Sequence, residues 1–229
     1  QWQKGLLTNL SYMMILNAAA GRTVGNQLNP PMLPWVTNFA GEIDLQPDNI
    51  GNLLSEKSPY WRDLSRSKFR LTKGDDQLDH TFQNLRHHIP ETLSEITYTV
   101  YRARALPIHQ LRSTIRQDFI AEHYPESIRK LYEWSPDEAS IEFFVTTTPC
   151  PFKSLHKEMQ DITLPSWCEN TSDFINYHRN LLESEYVSKH LHLWIDLNFG
   201  EALTGARAVA EKNVPLYSSR KLDKHHHVC

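Results

Sequence analysis

Phe174-Ile-Asn-Tyr-His178-Arg179-Asn-Leu-Leu-Glu183-Ser184-Glu-Tyr-Val-Ser188-Lys-His190-Leu-His192-Leu-Trp194-Ile-Asp196-Leu-Asn-Phe-Gly200 decides the fold. Apolar residues recur at helical spacing through it, and polar side chains (His178, Arg179, Glu183, Ser184, His192, Asp196) sit among them. A polar group buried without a partner costs about 1–3 kcal/mol, so these side chains must find partners inside the fold. None of them looks like a nucleophile beside its base. The segment reads as a scaffold with a wired polar interior, in two helices running from Thr171 or Ser172 to about Ser184 and from Ser188 to about Phe199.

Working outward, the pattern stays helical. Thr8 to Ala20 carries Leu10, Met13, Met14 and Leu16 on one face, with Asn9 or Ser11 as cap and Gly21 as stop. Ile89 to Leu106 reads as a helix opened by Pro90 and ended by Pro107. Shorter helices are expected within Ile108–Glu122, over Tyr124–Trp134 after Pro125, and over Gly205–Glu211, with a helical turn in Pro136–Phe144. Asn29-Pro30-Pro31-Met32-Leu33-Pro34-Trp35 cannot be helix interior, because its prolines fix φ and push their predecessors to extended forms. Yet Met32, Leu33, Trp35 and Val36 want burial. The expectation is an extended chain threaded through a core without a normal sheet. Ser67 to Thr81 is charged and expected to be exposed. No stretch is strand-rich and there is no internal repeat, so the fold class is mostly α with much irregular backbone.

Composition narrows the function. The chain has 229 residues with 40% hydrophobic and 22% charged, an ordinary globular balance, and a net charge of −3 argues against a generic nucleic-acid binder. Three cysteines, Cys150, Cys168 and Cys229, are too few and too widely spaced for a disulfide framework and suit a reducing compartment. The apolar run Met13–Ala20 is too short to span a bilayer. The chain starts with Gln1, which suggests a piece of a longer protein. Residues 218–229, with His225-His226-His227, read as a polar tail or linker after a domain over 1–217.

Several motifs bear on chemistry. Cys150, His156, Cys168 and the tail histidines lack the paired spacing of a zinc site, so no metal is expected. There is no Gly-x-Ser-x-Gly elbow, and His178-Arg179-Asn180 lacks the Asp of a kinase loop. Gly21-Arg22-Thr23-Val24-Gly25 lacks the third glycine of a dinucleotide site, so no cofactor is expected. His192 and Asp196, four apart, could hydrogen-bond on one helix face, as an acid/base pair or as a buried structural contact. His87-His88 before Pro90 could cap backbone groups or hold an anion. Arg62-Asp63 beside Trp61 suggests a half-buried ion pair that pins the extended segment.

The chain resembles a BEACH (Beige and Chediak–Higashi) domain. The resemblance runs from Trp2 to Pro215. It rests on Leu10-Ser11-Tyr12-Met13-Met14-Ile15-Leu16-Asn17, Pro31-Met32-Leu33-Pro34-Trp35-Val36, Trp61-Arg62-Asp63-Leu64-Ser65, His87-His88-Ile89-Pro90, Tyr132-Glu133-Trp134-Ser135-Pro136-Asp137-Glu138, Leu164-Pro165-Ser166-Trp167 and above all Phe174–Gly200. It is closest to the subclass that carries a C-terminal WD-repeat propeller and acts on endosomes. The chain departs from the wider pattern at Asn26, Asn29-Pro30 and Ser140-Ile141, and it contains nothing like the PH-like module that packs on the domain in larger members.

The resemblance implies a mostly α fold whose core holds extended segments with little regular structure. It implies a non-enzymatic scaffold in membrane traffic, serving endosome maturation, endolysosomal transport and autophagy, and tuning phosphatidylinositol 3-kinase output through protein partners. The location would be cytoplasmic, peripheral on endosomal or lysosomal membranes. We expect a partner groove near Arg62, His87, His88, Arg179 and Glu183. Asn17, Arg22, Asp63, His178, His192 and Asp196 are expected to brace the interior. Two alternatives stay open: a thiol hydrolase using Cys168 or Cys150, and an anionic-lipid module using Arg102, Arg104, His109, Arg112 and Arg116.

Overall fold

The computed structural model describes residues 1–40, 56, 58–76, 92–211 and 213. Its centre is the helix pair foreseen from Phe174–Gly200. Helix α6, Thr171–Leu182, opens with a capping box in which Asn170 and Asp173 satisfy each other's backbone N–H groups, and it buries Phe174, Ile175, Tyr177, His178, Leu181 and Leu182. Helix α7, Glu185–Phe199, follows after a two-residue break and buries Val187, Leu191, Trp194, Leu197 and Asn198. It starts three residues earlier than the expected Ser188, because Ser184 is the cap: its hydroxyl accepts from Val187 N. Ser188 instead donates to Ser184 O at 2.9 Å.

Before this pair in the chain come α1 (Asn9–Ala19), α2 (Lys68–Lys73), α3 (Glu95–Tyr101), α4 (Ile108–Thr114) and α5 (Ile128–Trp134), and α8 (Gly205–Ala210) comes after it. Hydroxyl caps set most of the starts: Thr8 for α1, where Asn9 or Ser11 was expected, Ser67 for α2, Ser94 for α3 and Ser127 for α5. The predicted helix from Ile89 shortens accordingly to α3. Pro90 lies outside the described residues, and Ala103–Ala105 forms a separate 3₁₀ turn. Likewise α5 begins at Ile128, where Ser127 supplies an acceptor that Pro125 lacks. The turn expected in Pro136–Phe144 is a 3₁₀ turn at Ile141–Phe143.

Residues 30–37 are buried without a break. Their strand pairing among the described residues is a two-residue antiparallel ladder, β1 (Met32–Leu33) against β2 (Ala139–Ser140), in register Met32 with Ser140 and Leu33 with Ala139, and a single antiparallel bridge between Thr37 and Trp61. Side chains and loops satisfy further backbone groups of the segment. Asn17, fully buried, reaches across from α1: it accepts from Met32 N at 2.9 Å and donates to Met32 O at 2.8 Å. Arg22 donates to Pro30 O at 2.9 Å. Arg62 N reaches Val36 O at 3.0 Å and Asn38 N reaches Tyr60 O at 2.7 Å. A single amide side chain thus serves the segment as a neighbouring strand would.

Trp35, with no exposed surface, is the hub of the core. Its rings lie within 6.1 Å of those of Phe39, Tyr101, Tyr132, Phe143 and His178. A second, smaller cluster of Ala103, Leu106, Leu111, Tyr124 and Met159 packs α4.

Candidate functional site

The clearest charged centre lies under Trp61. Arg62 is 1% exposed, and its Nη2 donates to Glu138 Oε1 at 2.7 Å and to Arg66 O at 2.8 Å. Glu138 is equally buried, and burial pushes its carboxyl above the usual range while Arg62 pulls it back. The sequence suggested a half-buried Arg62 ion pair; the pair is fully buried and its carboxylate comes from 76 residues away. Asp63 faces solvent. It accepts from Ser65 N and Oγ and lies 3.6 Å from Arg66, so it is no part of the buried network.

Lys68 is the correction to the exposed reading of Ser67–Thr81. It is 2% exposed, with Nζ donating to Tyr132 O (2.7 Å), Ser135 O (2.9 Å) and Thr72 Oγ1 (2.9 Å), and lies 3.9 Å from the Tyr132 ring centre. The ammonium therefore ties down carbonyls at the end of α5, while its stem fills space beside Tyr132. Burial pulls its pKa down to about 8. Above Arg62 and Lys68 opens a cavity of about 360 Å³, walled by Asn38, Trp61, Leu71, Tyr132 and Glu133. Trp61 is stacked on Tyr186 of α7, with centroids 4.5 Å apart, which fixes that wall.

Glu183 and Arg179 do something else. Glu183, just past α6, accepts from Asn9 N at 2.7 Å and Leu10 N at 3.1 Å, so it caps the start of α1 from the other end of the chain. Arg179 lies 3.4 Å from it. Asn9 completes the joint by donating to Leu182 O and Ser188 Oγ, at 2.7 and 2.9 Å. Arg62 borders the cavity beside Trp61 with its guanidinium engaged by Glu138 and the Arg66 carbonyl, and Glu183 is engaged with backbone. His87 and His88 lie outside the described residues.

The other expected struts divide. His178 is fully buried, stacked on Phe144 at 4.3 Å, with Nδ1 at 3.3 Å from Phe143 O; burial pulls its pKa down to about 3, so it is neutral. Asn17 and Arg22 bond the extended segment as described. His192 is exposed and Asp196 only partly covered, and the two make no hydrogen bond to each other among the described residues. Their spacing gives them one helix face, but that face turns outward. Glu138, Lys68 and Asn9 were missed: the Tyr132–Glu138 motif pointed near the first, and nothing in the sequence marks the other two as buried.

The alternative chemistries find little support in this geometry. Burial pushes the Cys168 thiol up to about 12, opposite to what a thiolate nucleophile needs. Arg104 is buried and donates to Gln160 O and Pro125 O, which removes it from the expected lipid-facing patch. No three His, Cys, Asp or Glu side chains among the described residues could hold a metal ion together. No described helix is long and apolar enough to cross a membrane.

Comparison with known proteins agrees with this architecture. A family model described as Beige/BEACH domain matches residues 1–227. Protein GFS12 of Arabidopsis thaliana is 40% identical over 222 residues, covering 96% of this chain and 13% of its own length. WD repeat-containing protein 81 of Homo sapiens is 39% identical over 246 residues, covering 99% of the chain and 12% of its own length. Suppressor of organelle fusion 2 of Caenorhabditis elegans is 39% identical over 200 residues, covering 87% of the chain and 13% of its own length. The chain therefore spans about an eighth of these relatives. An extended buried segment braced by Asn17 and Arg62, the helix pair of Phe174–Gly200 and these matches lead to one assignment: the chain belongs to the BEACH domain family.

Proposed function

We propose that this BEACH domain is a non-enzymatic scaffold within a large membrane-trafficking protein. It supports endosome maturation, endolysosomal transport and autophagy by docking protein partners, and influences phosphatidylinositol 3-kinase activity through them. It works on the cytoplasmic side, peripherally on endosomal or lysosomal membranes, beside a WD-repeat propeller of the same protein. The similarity to WD repeat-containing protein 81 and to Suppressor of organelle fusion 2 supports the setting.

One observation carries the scaffold reading: the charged side chains are spent on structure. Arg62 holds Glu138, Lys68 holds carbonyls at the end of α5 and Glu183 holds the N-terminus of α1. A turnover site keeps such groups for substrate. The docking face we assign is the rim of the cavity beside Trp61, where Leu71 is 37% exposed. The test is Leu71→Asp in the full-length protein, reading endosomal enrichment and recovery of endosomal and autophagy proteins. Both should fall while the thermal transition of the domain is unchanged. Full recovery with normal enrichment rejects this face, and labelling of Cys168 by an electrophilic probe at a rate above that of a free thiol rejects the non-enzymatic reading.

A further inference from the structure

A second surface, away from the cavity beside Trp61, has the marks of a prepared site. The N-terminal 3₁₀ turn Trp2–Lys4, α1 and α7 enclose a groove of about 660 Å³. Its floor is rigid. The Trp2 indole stacks on Tyr12 with centroids 4.8 Å apart and interplanar angle 16°, and its Nε1 donates to Asn9 Oδ1 at 2.7 Å. Asn9 is 3% exposed and is itself bound to Leu182 O and Ser188 Oγ. A Trp held this way loses little freedom on binding, which favours affinity. Ile15 on the lip is 53% exposed and neighbouring Leu6 69%, while Ile195 lines the α7 side.

Charge on the α7 wall selects the occupant. His192 and Asp196 sit one turn apart there, and neither has a hydrogen-bond or ion-pair partner among the described residues. Arg66, Arg70 and Arg207 line a smaller cavity on the other side of Asp196, but they are paired with Asp63, Asp75 and Glu211. An unpaired carboxylate bordering an aromatic, aliphatic groove complements a cation carried on an apolar segment. It repels an acidic peptide or an anionic lipid headgroup. Grooves between helices accept a helix through anchors at i, i+3, i+4 and i+7.

We infer that this groove binds an amphipathic helical segment of a partner protein, with aliphatic anchors on the Trp2–Tyr12 floor and a Lys or Arg paired with Asp196. The probe is a random 16-residue peptide library displayed on phage, panned on the full-length protein and counter-selected on its Ile15→Glu variant. Enriched peptides should share helically spaced aliphatic residues and a basic residue. Synthetic versions should lose affinity about threefold to tenfold on Asp196→Asn, an isosteric change, and all measurable binding on Ile15→Glu. Leu155→Glu, at another exposed apolar residue, should leave binding intact. Circular dichroism keeps the variants comparable. The inference is overturned if no peptide depends on Ile15, if the dependent peptides are acidic or indifferent to Asp196→Asn, if anionic vesicles bind in an Ile15-dependent way instead, or if light scattering shows a dimer that Ile15→Glu dissolves.

Discussion

Replacing Glu183 by alanine should leave the Asn9 and Leu10 N–H groups of α1 without their acceptor, with the Thr8 cap and α6 intact. The Glu183 carboxylate receives two backbone N–H groups of α1, at 2.7 and 3.1 Å, and faces Arg179 at 3.4 Å. Hydrogen bonds to a charged group contribute about 1.5–3 kcal/mol each, and an N-terminal cap about 1 kcal/mol. The Glu183 side chain is 27% exposed, so water will recover part of the loss. The expected cost is about 2–3 kcal/mol for Glu183→Ala and about 1–2 kcal/mol for Glu183→Gln, which keeps one acceptor. In urea, with a slope of about 3 kcal/mol/M, the alanine variant should unfold about 0.7–1 M earlier. Arg179→Ala separates the cap from the ion pair. Arg179 is 34% exposed, and loss of such a pair costs about 0.5 kcal/mol. Equal midpoints for the Glu183 variants and wild type, or an Arg179→Ala loss as large as that of Glu183→Ala, would refute the capping argument.

Three more expectations follow from the buried groups. Arg62→Ala or Glu138→Ala alone should destabilise by about 3–5 kcal/mol, because each leaves an unpaired buried charge, whereas Arg62→Met with Glu138→Leu should recover most of it; a denaturation double-mutant cycle decides. Lys68, at about 8 in the fold against 10.5 unfolded, binds fewer protons native than unfolded between those values, so stability should rise with pH from about 8 towards 9.5. Above that the buried tyrosines, Tyr132 pushed up to about 12 among them, reverse the slope; the rise below 9.5 should vanish in Lys68→Met. His178, at about 3 against 6.5 unfolded, contributes stability that is complete above 6.5 and lost as pH falls towards 3, and urea midpoints for His178→Phe should lack that dependence.

The helix pair and the extended core segment could be read directly from the chain because local signals agree with the tertiary outcome. Phe174, His178, Leu181 and Leu182 repeat at helical spacing, and Pro30, Pro31 and Pro34 forbid the alternative. Helix starts were less legible. Several hydroxyls compete as caps, and only packing chooses Ser184 over Ser188 or Thr8 over Ser11. The charged site was least legible. Asp63 is adjacent to Arg62 but Glu138 takes the guanidinium, since the chain turns Asp63 to water. Lys68 has the composition of a solvated helix face and gave no hint of burial. His192 and Asp196 show the limit of spacing arguments: the period says they share a face, but not whether that face is inward.

The joint between Glu183 and α1 spans 174 residues, so the first helix of the domain is completed only by residues near its end. A ribosome releases the amino-terminal part first. The buried stretch around Trp35 must then wait, apolar and uncovered, until α6 has emerged. This domain should therefore depend on chaperones during its synthesis, and truncation before Glu183 should yield aggregate rather than a smaller folded unit.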